Sequence, residues 1–223
     1  MAEALLAHEP LLVVLTEFHP VRSRPVAEAL ARGGLEHQAA SAAGYGLEVF
    51  IASAKPLDGP RPLVGQQPVI GGYTEVYLET EDLVVAGVYV PVISAVPLTE
   101  KRRFWAMLHD AATRHANSSY VVLGDWNTGD VPLDKEDAGS PFSCTPEYRR
   151  MKDLGYAEAW RVLNGDRREF TWISNRGYGF RIDHAFLSPP ARRRLVDSRY
   201  SHAERLAKIS DHSIMIVDLA AAA

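Results

Sequence analysis

The chain has 223 residues, of which 47% are hydrophobic, and its formal charge at pH 7 is −4. This length and composition allow one domain with a full buried core, or at most two small domains. The negative charge argues against a protein that simply coats nucleic acid. It still allows a nuclease, whose acidic site can lie beside local basic patches.

The cysteine content and the apolar runs indicate in which cellular compartment the protein is located. The single cysteine, Cys144, excludes an internal disulfide, and a small buried thiol is its simplest interpretation. No apolar run approaches the roughly 20 residues that span a bilayer. No basic region followed by a long apolar stretch marks a signal peptide at the N-terminus. We therefore expect a cytoplasmic protein that makes no membrane contact.

Strand and helix patterns alternate along the chain. In chain order we predict a helix at 2–8, a strand at 11–16, a helix at 25–32, strands at 48–52, 73–79 and 83–90, a helix from an N-cap at Thr99 to about 116, a strand at 120–123, a helix at 146–154, and strands at 170–173, 180–187 and 213–219. Glu81-Asp82 predicts a hairpin, and residues 128–145 are the best candidate for a mobile loop. Mixed strands with few helices favour an α/β (α+β) fold of two packed sheets flanked by helices.

Four short polar clusters lie at the ends of apolar runs. They are Thr16-Glu17, Gly124-Asp125-Trp126-Asn127, Arg181-Ile182-Asp183-His184 and Ser210-Asp211-His212. Acidic groups rarely sit next to buried strands unless a metal, a cation or a reaction requires them there. Each cluster taken alone is ordinary turn or capping chemistry. Together they predict one acidic site at the rim of a sheet, which is typical of metal-dependent phosphoesterases.

In this order and at these separations, the last three clusters resemble the endonuclease/exonuclease/phosphatase superfamily, and Thr16-Glu17 resembles its first acidic motif. The resemblance covers essentially the whole chain. It implies a single domain over 1–223 with a four-layer α/β/β/α sandwich, in which two mixed β-sheets lie between helices. Val88-Tyr89-Val90-Pro91 resembles the Tyr-x-Pro motif of the exonuclease III and abasic-site endonuclease branch.

Three sequence features distinguish this chain from other members of the superfamily. Other branches carry a catalytic histidine near the Tyr-x-Pro position, and this chain has none between His37 and His109. Members normally begin with a strand that ends in Asn, upstream of the Glu motif. A helix-like segment precedes Glu17 instead, so we expect this first strand to be absent. Val92 stands where abasic-site endonucleases often carry Asn.

The residue types and the resemblance together imply five catalytic residues. Asp125 is the candidate base or orienter of an attacking water, and Asn127 can fix that water or a phosphate oxygen. His212 would donate to a phosphoryl oxygen, and Asp183 would hold its imidazole in one tautomer. Tyr89 would donate its hydroxyl to the phosphate.

Metal and substrate contacts follow from the same resemblance. Glu17 and Asp211 offer the carboxylate oxygens that Mg²⁺ prefers, with Mn²⁺ as a possible substitute. Trp172, Phe180 and Arg181 resemble the segments that wall the pocket for a flipped-out sugar in abasic-site endonucleases. Ordinary packing in the core is the alternative for both aromatic residues.

Several further polar residues have weaker signals. Strand alternation places His184 on the opposite sheet face from Asp183, where we expect a packed, hydrogen-bonded histidine. His202 and Arg205 lie just before the last motif and are candidates to reach substrate. The basic clusters Arg149-Arg150, Arg167-Arg168 and Arg192-Arg193-Arg194 could contact backbone phosphates or simply be solvated surface charge.

The sequence therefore favours a Mg²⁺-dependent DNA nuclease that hydrolyses phosphodiester bonds by in-line attack of an activated water. Two alternatives stay open. One is a phosphatase or phosphodiesterase acting on a small or lipid-derived phosphate. The other is a non-catalytic binding module with a degenerate site. Nucleic acid, and DNA in particular, is the expected partner, and the sequence indicates no protein partner.

Overall fold

The computed structural model describes residues 1–41, 47–63, 72–137 and 141–222. The helices are α1 (Ala2–Leu6), α2 (Arg24–Arg32), α3 (Leu98–Arg114), α4 (Thr145–Asp153), α5 (Ala159–Asn164), α6 (Pro189–Arg192) and α7 (Ala203–Leu206). The strands are β1 (Leu12–Phe18), β2 (His37–Ala40), β3 (Glu48–Ser53), β4 (Asp58–Arg61), β5 (Gly72–Leu78), β6 (Leu83–Tyr89), β7 (Tyr120–Asp125), β8 (Ala157–Glu158), β9 (Trp172–Ile173), β10 (Gly179–Phe180), β11 (Asp183–Leu187), β12 (Leu195–Ser201) and β13 (Ile214–Leu219).

The strands form two layers. One layer is a six-stranded sheet in the order β4-β5-β6-β7-β11-β8, which is mixed because β6 and β7 are parallel and the other pairs antiparallel. The other layer contains the three-stranded sheet β1-β3-β2 and the antiparallel pair β12-β13. The short strands β9 and β10 form a separate hairpin.

Three apolar clusters separate the layers. The first lies between α3, α4 and one face of the six-stranded sheet, and contains Trp105, Tyr148 and Phe186. The second joins the opposite face of this sheet to the second strand layer. The third lies between that layer and helices α1 and α2, with Leu5 and Leu30 among its members. The order is helices, sheet, sheet, helices, so the predicted four-layer α/β/β/α sandwich is confirmed. Its second sheet layer consists of two antiparallel pieces.

The predicted elements are present with shifted ends, and two details of the prediction are wrong. Helix α3 starts after an N-cap at Pro97, so Thr99 lies inside the first turn. The predicted strand over 180–187 is two strands, because the chain leaves the β10 hairpin before β11 begins. The hairpin at Glu81-Asp82 is confirmed, with Asp82 in the left-handed region at φ 42°.

The interpretation of 128–145 as a mobile loop does not fit its described part. Residues 138–140 lie outside the described residues. Within the rest, the Asp134 carboxylate is buried and accepts a 2.8 Å hydrogen bond from Arg181 Nε. Lys135 forms a β-bridge with Phe180. This segment is therefore anchored in the protein interior.

An open cleft separates the two pieces of the second layer. Within the described ranges, β1 pairs with β3 and β13 pairs with β12, and neither strand is paired along its other edge. Apolar residues of β1 and β13 form the walls of this cleft, and residues of β6 and β7 in the six-stranded sheet form its floor. No helix in the described part of the chain is long and apolar enough to cross a membrane.

Candidate active site

Neighbouring strands of the six-stranded sheet bring three of the predicted site residues into one row. Tyr89 at the end of β6 is paired with Asp125 at the end of β7, and Asp125 is paired with Asp183 at the start of β11. Because β6 and β7 are parallel and β11 is antiparallel to β7, all three positions lie at the same edge of the sheet. Residues separated by about a hundred positions in sequence therefore share one rim.

Asp125 and Asn127 form a tight, mutually bonded pair. The backbone N–H of Asn127 donates to Asp125 Oδ1 at 2.8 Å, and its Nδ2 donates to Oδ2 at 2.9 Å. The same amide donates to the carbonyl of Val90 at 3.0 Å. Asn127 has φ 44°, a left-handed conformation that asparagine tolerates better than most residues. Both oxygens of the Asp125 carboxylate are thereby fixed.

Gly124 allows strands β6 and β7 to lie close together next to the row of Tyr89, Asp125 and Asp183. Its φ is 146°, and a Cβ atom there would lie 2.0 Å from the carbonyl oxygen of Val88 on the neighbouring strand. Only glycine allows the backbone of β7 to approach β6 in this way just before Asp125.

His212 reaches the row from the other strand layer. Its Nδ1 lies 3.1 and 2.9 Å from the two Asp183 oxygens. A β-bridge between Trp172 and His212 fixes the backbone at this point. Burial alone would lower the pKa of His212, but the Asp183 charge and hydrogen bond raise it to about 9. His212 is therefore an imidazolium whose Nδ1–H donates to the Asp183 carboxylate. Its other ring nitrogen, Nε2, is directed away from Asp183.

Tyr89 and Glu17 form the second contact across the two layers. The Tyr89 hydroxyl donates to Glu17 Oε1 at 2.6 Å. Burial and the neighbouring Glu17 carboxylate raise the pKa of Tyr89 far above its usual value, so the phenol stays protonated as a donor. Glu17 itself is exposed and has φ 53°. This left-handed position lies where β1 departs from its regular pairing with β3.

The site carries more negative than positive charge. Burial, followed by the charge of Asp183, raises the pKa of Asp125 to about 8, although His212 opposes this shift. Four carboxylates, those of Glu17, Asp125, Asp183 and Asp211, lie around one imidazolium. An excess of hard carboxylate oxygens of this kind suits a divalent cation.

Glu17 and Asp211 are the exposed carboxylates of the group and therefore the ones available to a metal ion. Among the described residues, no three His, Cys, Asp or Glu side chains form a ready-made metal-binding group. Mg²⁺ often binds through one or two carboxylates and keeps several waters, so the donor set fits that ion without a full protein cage.

The aromatic residues lie beside the acidic group. Trp172 Nε1 donates to Asp211 Oδ2 at 3.3 Å, and the Trp172 ring lies 5.6 Å from that of Phe180. Phe142 extends this row, with its ring 5.9 Å from Phe180. Trp172 and Phe180 are both half-buried, so each keeps part of its surface for a ligand. Phe142 was missed in the sequence because it lies in a segment without periodicity.

The structure corrects the prediction that Arg181 contacts the substrate. Its side chain is fully buried, and Nη1 donates to Glu158 Oε1 at 2.8 Å while Nε donates to Asp134. It cannot touch a substrate, because two buried carboxylates enclose the guanidinium. Its position behind the start of β11 instead makes it part of the support of Asp183.

The histidines and other arginines have mainly internal partners. His184 is fully buried and its Nε2 lies 2.9 Å from the carbonyl of Thr128, which confirms the prediction of a packed histidine. His202 lies between Ser213 and Glu169, and Arg205 also donates to Ser213. These two residues support the backbone next to His212. Arg149 is paired with Asp130 at the surface.

Two supporting residues were missed in the sequence. Thr171 Oγ1 accepts hydrogen bonds from the backbone N–H groups of Ile182 and Asp183, at 3.2 and 3.4 Å. Lys101 is fully buried and donates to the carbonyl of Asn127 at 2.8 Å. Of these two residues, only Lys101 could have been found from the sequence pattern, since it lies three and four positions before Phe104 and Trp105, on the apolar face of α3.

Comparison with known proteins identifies relatives of this fold. The sequence profile of the Endonuclease/Exonuclease/phosphatase family matches residues 1–212. No curated protein matches the chain. An AP endonuclease from Archaeoglobus fulgidus superposes with a TM-score of 0.84 at 20% identity, covering 98% of this chain and 92% of that one.

Two Neisseria structures are similar to the same degree. A variant of the 3′ phosphatase NExo from Neisseria, bound to a product DNA hairpin, has a TM-score of 0.83 at 22% identity, with 97% of this chain and 92% of that one covered. The 3′-5′ exonuclease NExo from Neisseria meningitidis has a TM-score of 0.84 at 22% identity, with 98% and 93% covered.

The fold and the family match define a hydrolase that acts on phosphoester bonds. Because the profile spans nearly the whole chain, the protein belongs to the Endonuclease/Exonuclease/phosphatase family. Enzymes of this family depend on a divalent metal ion.

Proposed function

We propose that this protein is a Mg²⁺-dependent DNA nuclease of the exonuclease III-like type, formed by one domain over 1–223 and active in the cytoplasm. The observation that carries the proposal is the row of Tyr89, Asp125 and Asp183 at one sheet edge, with His212 bonded to Asp183. A binding module has no physical need for a buried carboxylate, an imidazolium and a protonated phenol in one group. This argues against the non-catalytic alternative.

Each residue has a role that its surroundings support. Asp125, held by Asn127 and with its pKa raised to about 8, can accept a proton from a water that attacks in line with the scissile bond. His212 is charged and directs Nε2 away from Asp183, so it can donate to a phosphoryl oxygen. Tyr89 can transfer its hydroxyl hydrogen bond from Glu17 to a phosphate.

Glu17 and Asp211 would hold the metal ion. When bound there, a divalent cation supplies positive charge to the phosphate oxygens and to the leaving alkoxide. With its carboxylate used for the ion, Glu17 would no longer accept from the Tyr89 hydroxyl, which would then be available to a phosphate. Mn²⁺ offers the same preference for oxygen ligands and should substitute.

The aromatic row gives a reason to favour DNA over a small phosphate. Trp172 and Phe180, with Phe142 beside them, form a half-exposed surface adjoining Asp211. Such a surface can pack against a sugar or a base that has left the helix. The DNA-bound Neisseria 3′ phosphatase shares the fold, so removal of a 3′ phosphate is a second candidate activity.

The test is hydrolysis of fluorescently labelled DNA by the purified protein. The substrates are a duplex with one abasic site, an intact duplex, a single strand and a duplex ending in a 3′ phosphate. Each is incubated with Mg²⁺, with Mn²⁺ and with chelator, and Asp125→Asn serves as the control. We expect metal-dependent cleavage that the variant loses. A folded wild-type protein that cleaves none of the substrates would contradict the proposal and favour a small-phosphate substrate.

A further inference from the structure

We propose that Lys101 is a positioning residue of the active site, which acts from the buried face of α3 by holding the left-handed turn at Asn127. The inference rests on the proposed function, since it assigns a role behind Asp125. Lys101 touches neither the exposed carboxylates nor the aromatic row.

A fully buried lysine requires an explanation. Removing an ammonium group from water is unfavourable unless partners compensate, and lysine is among the residues least often buried. Lys101 Nζ donates a 2.8 Å hydrogen bond to the carbonyl of Asn127. Burial lowers the pKa of Lys101, while the nearby Cys144, Asp125 and Glu147 oppose this shift. The ammonium is thus placed at the back of the acidic group.

The carbonyl that Lys101 binds belongs to the residue that fixes Asp125. The N–H and the Nδ2 of Asn127 donate to the two oxygens of Asp125, and Nδ2 also donates to Val90. The backbone carbonyl of Asn127 is the acceptor on the other side of this residue, and Lys101 satisfies it. The backbone N–H, the side-chain Nδ2 and the backbone carbonyl of this residue are therefore all constrained.

The conformation of Asn127 makes this constraint necessary. A φ of 44° costs energy for a residue other than glycine, and such conformations persist only when their surroundings fix them. Without the Lys101 bond, the peptide after Asn127 is free to turn, and the Asn127 amide moves away from the carboxylate. Asp125 then loses the orientation that presents it to an attacking water. Misplacement of a catalytic group by about 1 Å can cost about 100-fold in rate.

The test compares Lys101→Met with a matched variant on the same helix. Methionine is also long and unbranched but cannot donate. His109 provides the control, because it is also buried on α3 and its Nε2 lies 2.9 Å from the carbonyl of Glu147 in α4, away from Asn127. His109→Leu removes a comparable buried hydrogen bond. Thermal unfolding establishes that each variant is folded, and kcat and KM are then measured on the preferred DNA substrate.

We expect Lys101→Met to lower kcat by about 10- to 100-fold while KM changes by less than about twofold, because the group it positions acts in the transition state. His109→Leu should lower the unfolding temperature and leave kcat within about twofold of the wild type. An unchanged kcat in folded Lys101→Met, or equal losses in the two variants, overturns the proposal. If Lys101→Met does not fold, Lys101→Gln is judged by the same criterion.

A crystal structure of the Lys101 variant separates this inference from the proposed function. If the wild-type protein cleaves no DNA, the proposed function fails, but the positioning role is still decided. Loss of the left-handed turn at Asn127 and of its bonds to Asp125 would support it. A variant structure in which both are retained would overturn it.

Discussion

At the scale of single residues, the proposed chemistry depends on Asp125. Asp125→Asn removes the proton acceptor and keeps nearly the same shape, so we expect the rate to fall by roughly 100- to 10,000-fold. Because burial raises the pKa of Asp125 to about 8, its side chain is already largely neutral near pH 7, so the amide changes the buried charge little and weakens only the bonding to Asn127. The unfolding temperature should therefore stay close to that of the wild type. A large loss of stability, or near-normal turnover, would remove Asp125 as the base.

The charge on His212 is a second residue-scale prediction. Its pKa is raised to about 9 by Asp183, against the effect of burial. In Asp183→Asn the favourable charge is lost and burial remains, so the pKa should fall to near or below the ordinary value of 6.5. NMR titration of the imidazole in chelator-treated protein measures this directly. A pKa that stays near 9 would mean that the other carboxylates, rather than Asp183, hold the proton.

The residues that the sequence could predict are those that lie at strand ends in family order. Asp125 and Asp183 are acidic groups beside apolar runs, and that contrast is visible without a structure. The supporting role of Arg181 could not be predicted from the sequence. Its burial depends on ion pairs with Asp134 and Glu158, which contact it only in the folded protein. The same holds for Thr171, whose hydroxyl accepts hydrogen bonds from the backbone N–H groups of Ile182 and Asp183, 11 and 12 positions later in the chain.

At the scale of elements, buried ion pairs hold the loop before α4 and strand β8 against the start of β11. Burial alone would raise the pKa of Glu158, but the Arg181 charge and the hydrogen bonds from His184 and the Arg161 N–H lower it to about 2. A depressed folded-state pKa contributes stability above the unfolded value near 4.5. That contribution is lost as the pH falls from there through about 2.

Glu158→Gln should therefore destabilise the protein by about 3 kcal/mol at pH 7, because it leaves the buried Arg181 charge less compensated. The difference from wild type should shrink as the pH falls below about 4.5, since only the wild type loses stability by this route. Chemical denaturation at several pH values measures both effects. Glu28→Gln is the control: it breaks the exposed Arg24–Glu28 pair and should cost at most about 1 kcal/mol at any pH. A pH-independent difference would contradict this account.

The elements that could be predicted are the long apolar ones that cross a core. β6, β7 and α3 each bury most of a face, so their periodicity is strong. Strands β2, β4 and β8 were missed because they are only two to four residues long and are defined by pairing with their neighbours. Strand β12 was missed because its sequence is largely polar, with Asp197 half-buried and Arg199 exposed beside β13.

At the scale of the whole molecule, the two proposed metal-binding carboxylates lie in or next to strands that have an open edge. β1 contains Glu17, and β13 begins three residues after Asp211. Within the described ranges each is paired along a single edge, and most residues of β13 are only half-buried. Strands of the six-stranded sheet such as β6 and β7 are paired on both sides. Amide protection is greatest where backbone hydrogen bonds are buried, so β1 and β13 should exchange hydrogen faster than β6 and β7.

A cation held by both Glu17 and Asp211 would join the two sides of the cleft, which gives the last prediction. Because an ion that binds only the folded state stabilises it, Mg²⁺ should slow hydrogen exchange in β1 and β13 and change that of β6 little. Hydrogen-exchange mass spectrometry with and without Mg²⁺ measures this independently of any substrate. Asp211→Asn should abolish the effect, while Asp218→Asn, an exposed carboxylate on the same strand, should retain it. Uniform slowing over all strands, or slowing that survives in Asp211→Asn, would place the ion elsewhere in the molecule.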